Sequence, residues 1–111
     1  MKLSTRSKCC LVAVGLLVSS LAFHAAVPAT DGAAVFKNNC MMCHGADGKG
    51  FPALKTPDFT SPKWQASAKD KVIREVIKNG KKGTAMQGFA DKLNDLQISA
   101  VITYIRSLKK K

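Results

Sequence analysis

The run Cys40-Met41-Met42-Cys43-His44 limits the possible folds of this chain more than any other feature. Two cysteines three positions apart cannot staple distant parts of a chain together, and no cysteine follows them. The other two, Cys9 and Cys10, stand in an N-terminal segment with a different purpose. There Lys2, Arg6 and Lys8 form a basic start, an uncharged apolar stretch runs from about Leu11 to Phe23, and small residues close it in Ala25-Ala26-Val27-Pro28-Ala29. That is the build of a secretory signal peptide. Cleavage is expected after Ala29, with Val27 and Ala29 at the two positions that favour small residues. Cleavage after Ala26 is the alternative, although it places the bulky His24 three residues upstream of the cut. A spanning anchor wants about 20 predominantly apolar residues, and this run is shorter and broken by Ser19 and Ser20. Cys9 and Cys10 precede the apolar run, which argues against a lipid-anchored cysteine. Residues 1–29 are therefore expected to be a cleaved signal and residues 30–111 one exported, periplasmic domain with no stable membrane insertion after cleavage.

Removing 29 of the 111 residues leaves 82, a size at which an exported domain usually needs help beyond its own apolar core. The help must come from something other than disulfides. Periodicity predicts helices and no alternating strand. Asp31 is a plausible N-cap for a helix running to Cys40, with Ala33, Val35 and Phe36 on its apolar face. From Gly45 to Ser67 the chain reads as irregular, punctuated by Pro52, Pro57 and Pro62. A loop of about 20 residues without structure is abnormal in a compact domain unless it wraps something. Ser67 is expected to begin a second helix, with Asp70 in a capping-box variant, a stripe of Val72, Ile73, Val76 and Ile77, and a stop at Asn79-Gly80. Asn94 caps a last helix, Gln97 returns the bond, and Ile98, Val101, Ile102, Ile105 and Leu108 keep helical period. Its end, Lys109-Lys110-Lys111, places cations where the helix dipole favours them.

Cys-x-x-Cys-His is the attachment pattern for haem c. The two thiols add to the vinyl groups on one edge of the porphyrin, and the histidine that follows is carried under the iron. Two rivals use the same cysteine spacing. A thioredoxin-like redox pair wants a βαβ context, which the helical pattern lacks. A zinc site needs two further ligands, and the exported domain has no other Cys or His. His44 is thus the expected proximal ligand. The sixth ligand follows by elimination among four methionines. Met1 leaves with the signal, and Met41 and Met42 lie inside the attachment turn. Met86 remains, in a loop between two helices. A thioether there raises the reduction potential and closes the iron to substrates. Lys81, Lys82 or an open site are the alternatives.

On these residues the chain resembles the class I bacterial monohaem cytochromes c, over essentially all of the exported domain. The resemblance implies an all-α, cytochrome c-like fold: three main helices and long loops wrapped around one covalently bound haem. It also implies that Gly32 and Phe36 pack closely on the C-terminal helix against Val101 and Tyr104. By the same likeness, the Pro52 carbonyl orients His44 through Nδ1–H, and the Trp64 indole N–H meets a haem propionate. One departure is visible. The family often has proline after the axial methionine, whereas this chain reads Met86-Gln87-Gly88-Phe89, which frees the backbone.

Charge completes the sequence picture. Three of the 18 Lys and Arg residues leave with the signal and none of the 7 Asp and Glu, so the domain carries 15 against 7, or +8. Two ionised propionates would reduce this to +6. Lys49, Lys55, Lys81 and Lys82 lie in loops expected to border the haem, and a basic rim of this kind steers a carrier to acidic patches on redox partner proteins. Nucleic acid is disfavoured by export and by the absence of aromatics interleaved with the charge. The expected function is a monomeric, non-enzymatic electron carrier in a respiratory chain. A gas- or peroxide-binding haem protein with a labile sixth ligand, or a haem subunit of a larger redox complex, are the alternatives.

Overall fold

The computed structural model describes residues 30–110; the expected signal peptide and cleavage site lie outside them. Helix α1 (Gly32–Asn39) begins at Asp31, whose carboxylate accepts from the N–H groups of Ala33 (2.9 Å) and Ala34 (3.2 Å). Helix α2 (Met41–His44) follows at once. A single 3-10 turn (Pro52–Leu54) and helix α3 (Pro62–Ser67) lie in the stretch expected to be irregular. Helix α4 (Asp70–Asn79) ends at Gly80, and α5 (Asp95–Ser107) closes the domain. No strand occurs among the described residues.

Three boundaries differ from the sequence expectation, each for a local reason. Ser61 accepts from Trp64 N–H and Pro62 takes the first helical position, a start signal that makes α3 a helix of its own. Ser67 therefore ends α3 and does not begin α4; its hydroxyl donates to Trp64 O (3.1 Å). Asp70 caps nothing, because its carboxylate is held by Arg106 (Nε–Oδ1 2.8 Å). At the C-terminus α5 stops at Ser107, so the final lysines lie beyond it, and Lys110 N–H donates to Thr60 O (3.0 Å).

The core is built where α1 crosses α5. Phe36, Ile98, Val101, Ile102 and Ile105 are buried there, with Ile98 and Val101 fully excluded from solvent. At Gly32 an added Cβ would lie 2.6 Å from the Ala100 carbonyl carbon and 3.1 Å from Tyr104 Cβ, so only glycine permits this approach. The Phe36 and Tyr104 rings meet at 5.2 Å. The close packing expected of Gly32 and Phe36 is present, with Ala100 joining Val101 and Tyr104 on the far side. Helix α4 buries Ile73 and Ile77 against the same core, leaves Val76 half-buried and turns Val72 to solvent. Each fully buried aliphatic of this kind contributes roughly 1.5–3 kcal/mol, more than any single cap at about 1 kcal/mol. The crossing, not the capping, holds the domain.

Candidate functional site

Cys40 ends α1 and starts α2 in one movement. Its N–H donates to Phe36 O (2.8 Å), while its carbonyl accepts from Cys43 N–H (3.2 Å) and His44 N–H (3.0 Å). The motif is thus one helical turn, with the two thiols at i and i+3 and the imidazole at i+4, all on neighbouring positions of one face. Burial, and secondarily the neighbouring Cys43, push the Cys40 thiol up to about 11. A reactive redox thiol is depressed, not raised, so the environment disfavours thioredoxin-like chemistry. Burial also lowers the His44 pKa, which favours the neutral imidazole that binds metal.

His44 is half-buried, and its Nδ1 is buried with no hydrogen-bond partner. The ring stacks on Phe59, with centroids 4.7 Å apart and planes at 21°. The loop between them is folded back tightly. Gly50 N–H donates to His44 O (2.8 Å) and Phe59 N–H to Gly48 O (2.8 Å). Gly48 turns at φ 73°, and a Cβ there would meet Leu108 Cδ1 at 2.6 Å.

No hydrogen bond joins the Pro52 carbonyl to His44 Nδ1. Pro52 opens the exposed 3-10 turn and its carbonyl accepts from Lys55 N–H (3.0 Å). The proline that packs against the His44 loop is Pro57, whose carbonyl oxygen lies 2.8 Å from where a Cβ on Gly50 would stand. Trp64 is half-buried, 4.7 Å from the Phe59 ring, with the Arg106 guanidinium 5.9 Å from its own centroid.

Met86 is half-buried and packs against the core from the connection between α4 and α5. That connection is closed by its own bonds. Lys81 N–H donates to Met86 O (2.9 Å), the Thr84 hydroxyl donates to Lys81 O (2.7 Å) and accepts from Met86 N–H (3.2 Å). Phe89 N–H then returns to Ile77 O (2.8 Å). Gly88 is required for closeness and not for freedom: a Cβ there would meet the Asn79 carbonyl carbon at 3.0 Å. The absence of proline after Met86 is thus met by a hydrogen-bonded loop.

Sequence reasoning missed Phe59, Gln65 and Arg106. Gln65 Nε2 donates to Phe59 O (2.7 Å) and Ile105 O (2.8 Å). Arg106 donates to Gln65 O (2.9 Å), Gln65 Oε1 (3.0 Å) and Ala68 O while pairing with Asp70. Nothing in the sequence marks Gln65 and Arg106, since Gln65 bonds Ile105 and Arg106 bonds Gln65 and Asp70 from 36 to 41 positions away, and the stacking of Phe59 on His44 has no fixed spacing.

The donor set fits haem c. Two thiols sit one turn apart, an imidazole whose pKa burial lowers follows them, and a thioether stands on a separate loop of the same domain. An all-α shell of this kind around a Cys-x-x-Cys-His turn defines a haem-binding domain. The model of the family described as cytochrome c matches residues 29–109. The chain belongs to the cytochrome c family, and its cofactor is covalently bound haem c. It is 34% identical over 80 residues to the cbb3-type cytochrome c oxidase subunit FixP of Bradyrhizobium sp. strain ORS 278, covering 72% of this chain and 27% of that one. It is 36% identical over 96 residues to the dihydro-heme d1 dehydrogenase of Pseudomonas aeruginosa, covering 85% and 18%. The solved KustC0563 c-type cytochrome superposes with a TM-score of 0.67 at 31% identity, covering 72% of this chain and 99% of that one. The chain thus spans about three tenths or less of the length of these curated relatives.

Proposed function

We propose that this protein is an exported, periplasmic electron carrier, with His44 and Met86 as the axial ligands of its haem c and its signal removed after Ala29. When bound, the haem iron supplies a one-electron ferric–ferrous couple. The chain does the rest. Cys40 and Cys43 hold the cofactor by thioether bonds, and His44 offers a neutral nitrogen from a dry position. Met86 would supply the second axial ligand, and the Trp64 indole N–H would donate to a propionate.

The hydrogen-bonded Met86 loop is the observation that supports this reading, because a backbone held by its own bonds would keep the thioether available as a ligand and leave no coordination site for a substrate. The arginines support it. A peroxide-activating site needs a free polar group near the iron, yet Arg106 is committed to Asp70 and Gln65, and Arg74 donates to Ser99 Oγ (2.8 Å). A second reading, a haem subunit held in a larger complex, is favoured by the likeness to subunits of cbb3 oxidases.

Docking is electrostatic. Lys49, Lys55, Lys81 and Lys82 are all exposed, and of these only Lys49 is ion-paired among the described residues, to Asp47 at 3.4 Å. The test mixes reduced protein with an acidic redox protein in a stopped-flow instrument and raises the ionic strength. Exchange that slows roughly tenfold from low to physiological salt is expected for steered docking. A salt-independent rate would refute the basic docking face. Isolation of the protein in a stable assembly, with no exchange when free, would favour the subunit.

A further inference from the structure

His44 needs something to fix its rotation. The attachment turn sets the backbone, but the ring still turns about its own bond to Cβ, and the buried Nδ1 has no partner to stop it. The group in contact with the ring is Phe59, at 4.7 Å and 21°. Phe59 is itself almost wholly buried and held on every side. Phe36 meets it edge-on at 6.3 Å and Trp64 at 4.7 Å. Its N–H donates to Gly48 O, and its carbonyl accepts from Gln65 Nε2, which is anchored in turn to Ile105 O. The C-terminal tail closes the arrangement, since Leu108 packs on Gly48 and Lys110 N–H donates to the residue after Phe59.

We infer that Phe59 is a positioning residue for His44: its stacked ring, and not a hydrogen bond to Nδ1, sets the plane of the imidazole, and Gln65 locks Phe59 against α5. The inference rests on His44 being an iron ligand. It has a chemical consequence, because the plane of a ligating imidazole selects which iron d orbital it overlaps. In the ferric state that choice decides how unpaired spin spreads over the porphyrin.

The test is proton NMR of the ferric holoprotein, produced from the full chain with its leader, comparing wild type with Phe59→Leu, Phe59→Tyr and Gln65→Leu. Wild type must first show hyperfine-shifted haem-methyl resonances; a low-spin pattern is that of the His44/Met86 pair, while a high-spin pattern refutes Met86 as sixth ligand and is seen before any variant is made. Phe59→Leu is expected to change the order or spread of the haem-methyl shifts, and Phe59→Tyr to restore the wild-type pattern. Gln65→Leu is expected to move the pattern in the same direction by less. A folded Phe59→Leu holoprotein with the wild-type pattern overturns the proposal and favours a carbonyl bond at Nδ1. Where Phe59→Leu yields no holoprotein, Gln65→Leu decides alone, and an unmoved pattern in it overturns the proposal equally.

Discussion

At the residue scale, the segment that carries Phe59 depends on one carboxylate. Asp58 Oδ1 accepts from the Thr60 hydroxyl (2.7 Å) and from Thr60 N–H (2.8 Å), and these bonds hold its pKa below the usual carboxylate value. A carboxyl whose folded pKa is depressed stabilises the fold above its unfolded pKa, and that contribution fades as pH falls through the folded value. Asp58→Asn keeps an acceptor oxygen but removes the charge. The stability difference between wild type and this variant is therefore expected to be largest above the ordinary carboxylate range and to shrink as pH falls through and below it. Urea titrations at a series of pH values measure it, and a difference constant across that range would show that Asp58 is not tied to Thr60. Not every residue of this kind was legible in advance. Cys40, Cys43 and His44 were, because covalent attachment demands a fixed spacing and spacing is written in sequence. Phe59 and Gln65 were not, since ring stacking has no fixed spacing and the bond from Gln65 to Ile105 spans 40 positions.

Among the elements, the α1–α5 crossing carries the fold. Gly32 packs against the Ala100 carbonyl with no room for a Cβ. Gly32→Ala forces the helices apart and is expected to cost about 1–3 kcal/mol. Chemical denaturation of the haem-loaded protein reads this directly, and an unchanged midpoint would mean that the helices do not meet as closely as described. The ends of α1 and α5 were visible as capping chemistry. Asp31 caps as expected, and Asn94 and Gln97 exchange both bonds of the capping box at 2.9 Å. Helix α3 was hidden by the habit of reading Pro62 as a breaker, when after Ser61 it is a starter. The start of α4 was misplaced because Asp70 looks like part of a cap but is claimed by Arg106 through tertiary packing.

At the scale of the whole molecule, a basic domain with a covalent haem, its sixth position closed by Met86 as proposed, would suit rapid, reversible exchange with acidic partners. Both flanks of the site are built to stay put. Phe59 stacks on His44 and is bonded through Gln65 to Arg106, and the loop from Gly80 to Phe89 is bonded to itself and to α4. Rigidity on both sides is what an electron carrier needs, since ligand movement would accompany each transfer with reorganisation. The most direct test is the optical spectrum of the purified protein and of Met86→Ala, oxidised, reduced, and reduced under carbon monoxide. The wild-type ferric protein is expected to show a weak far-red methionine–iron band and no response to carbon monoxide, while Met86→Ala loses the band and binds the gas. A wild-type protein without that band that binds carbon monoxide readily would contradict the account and make this an open haem site.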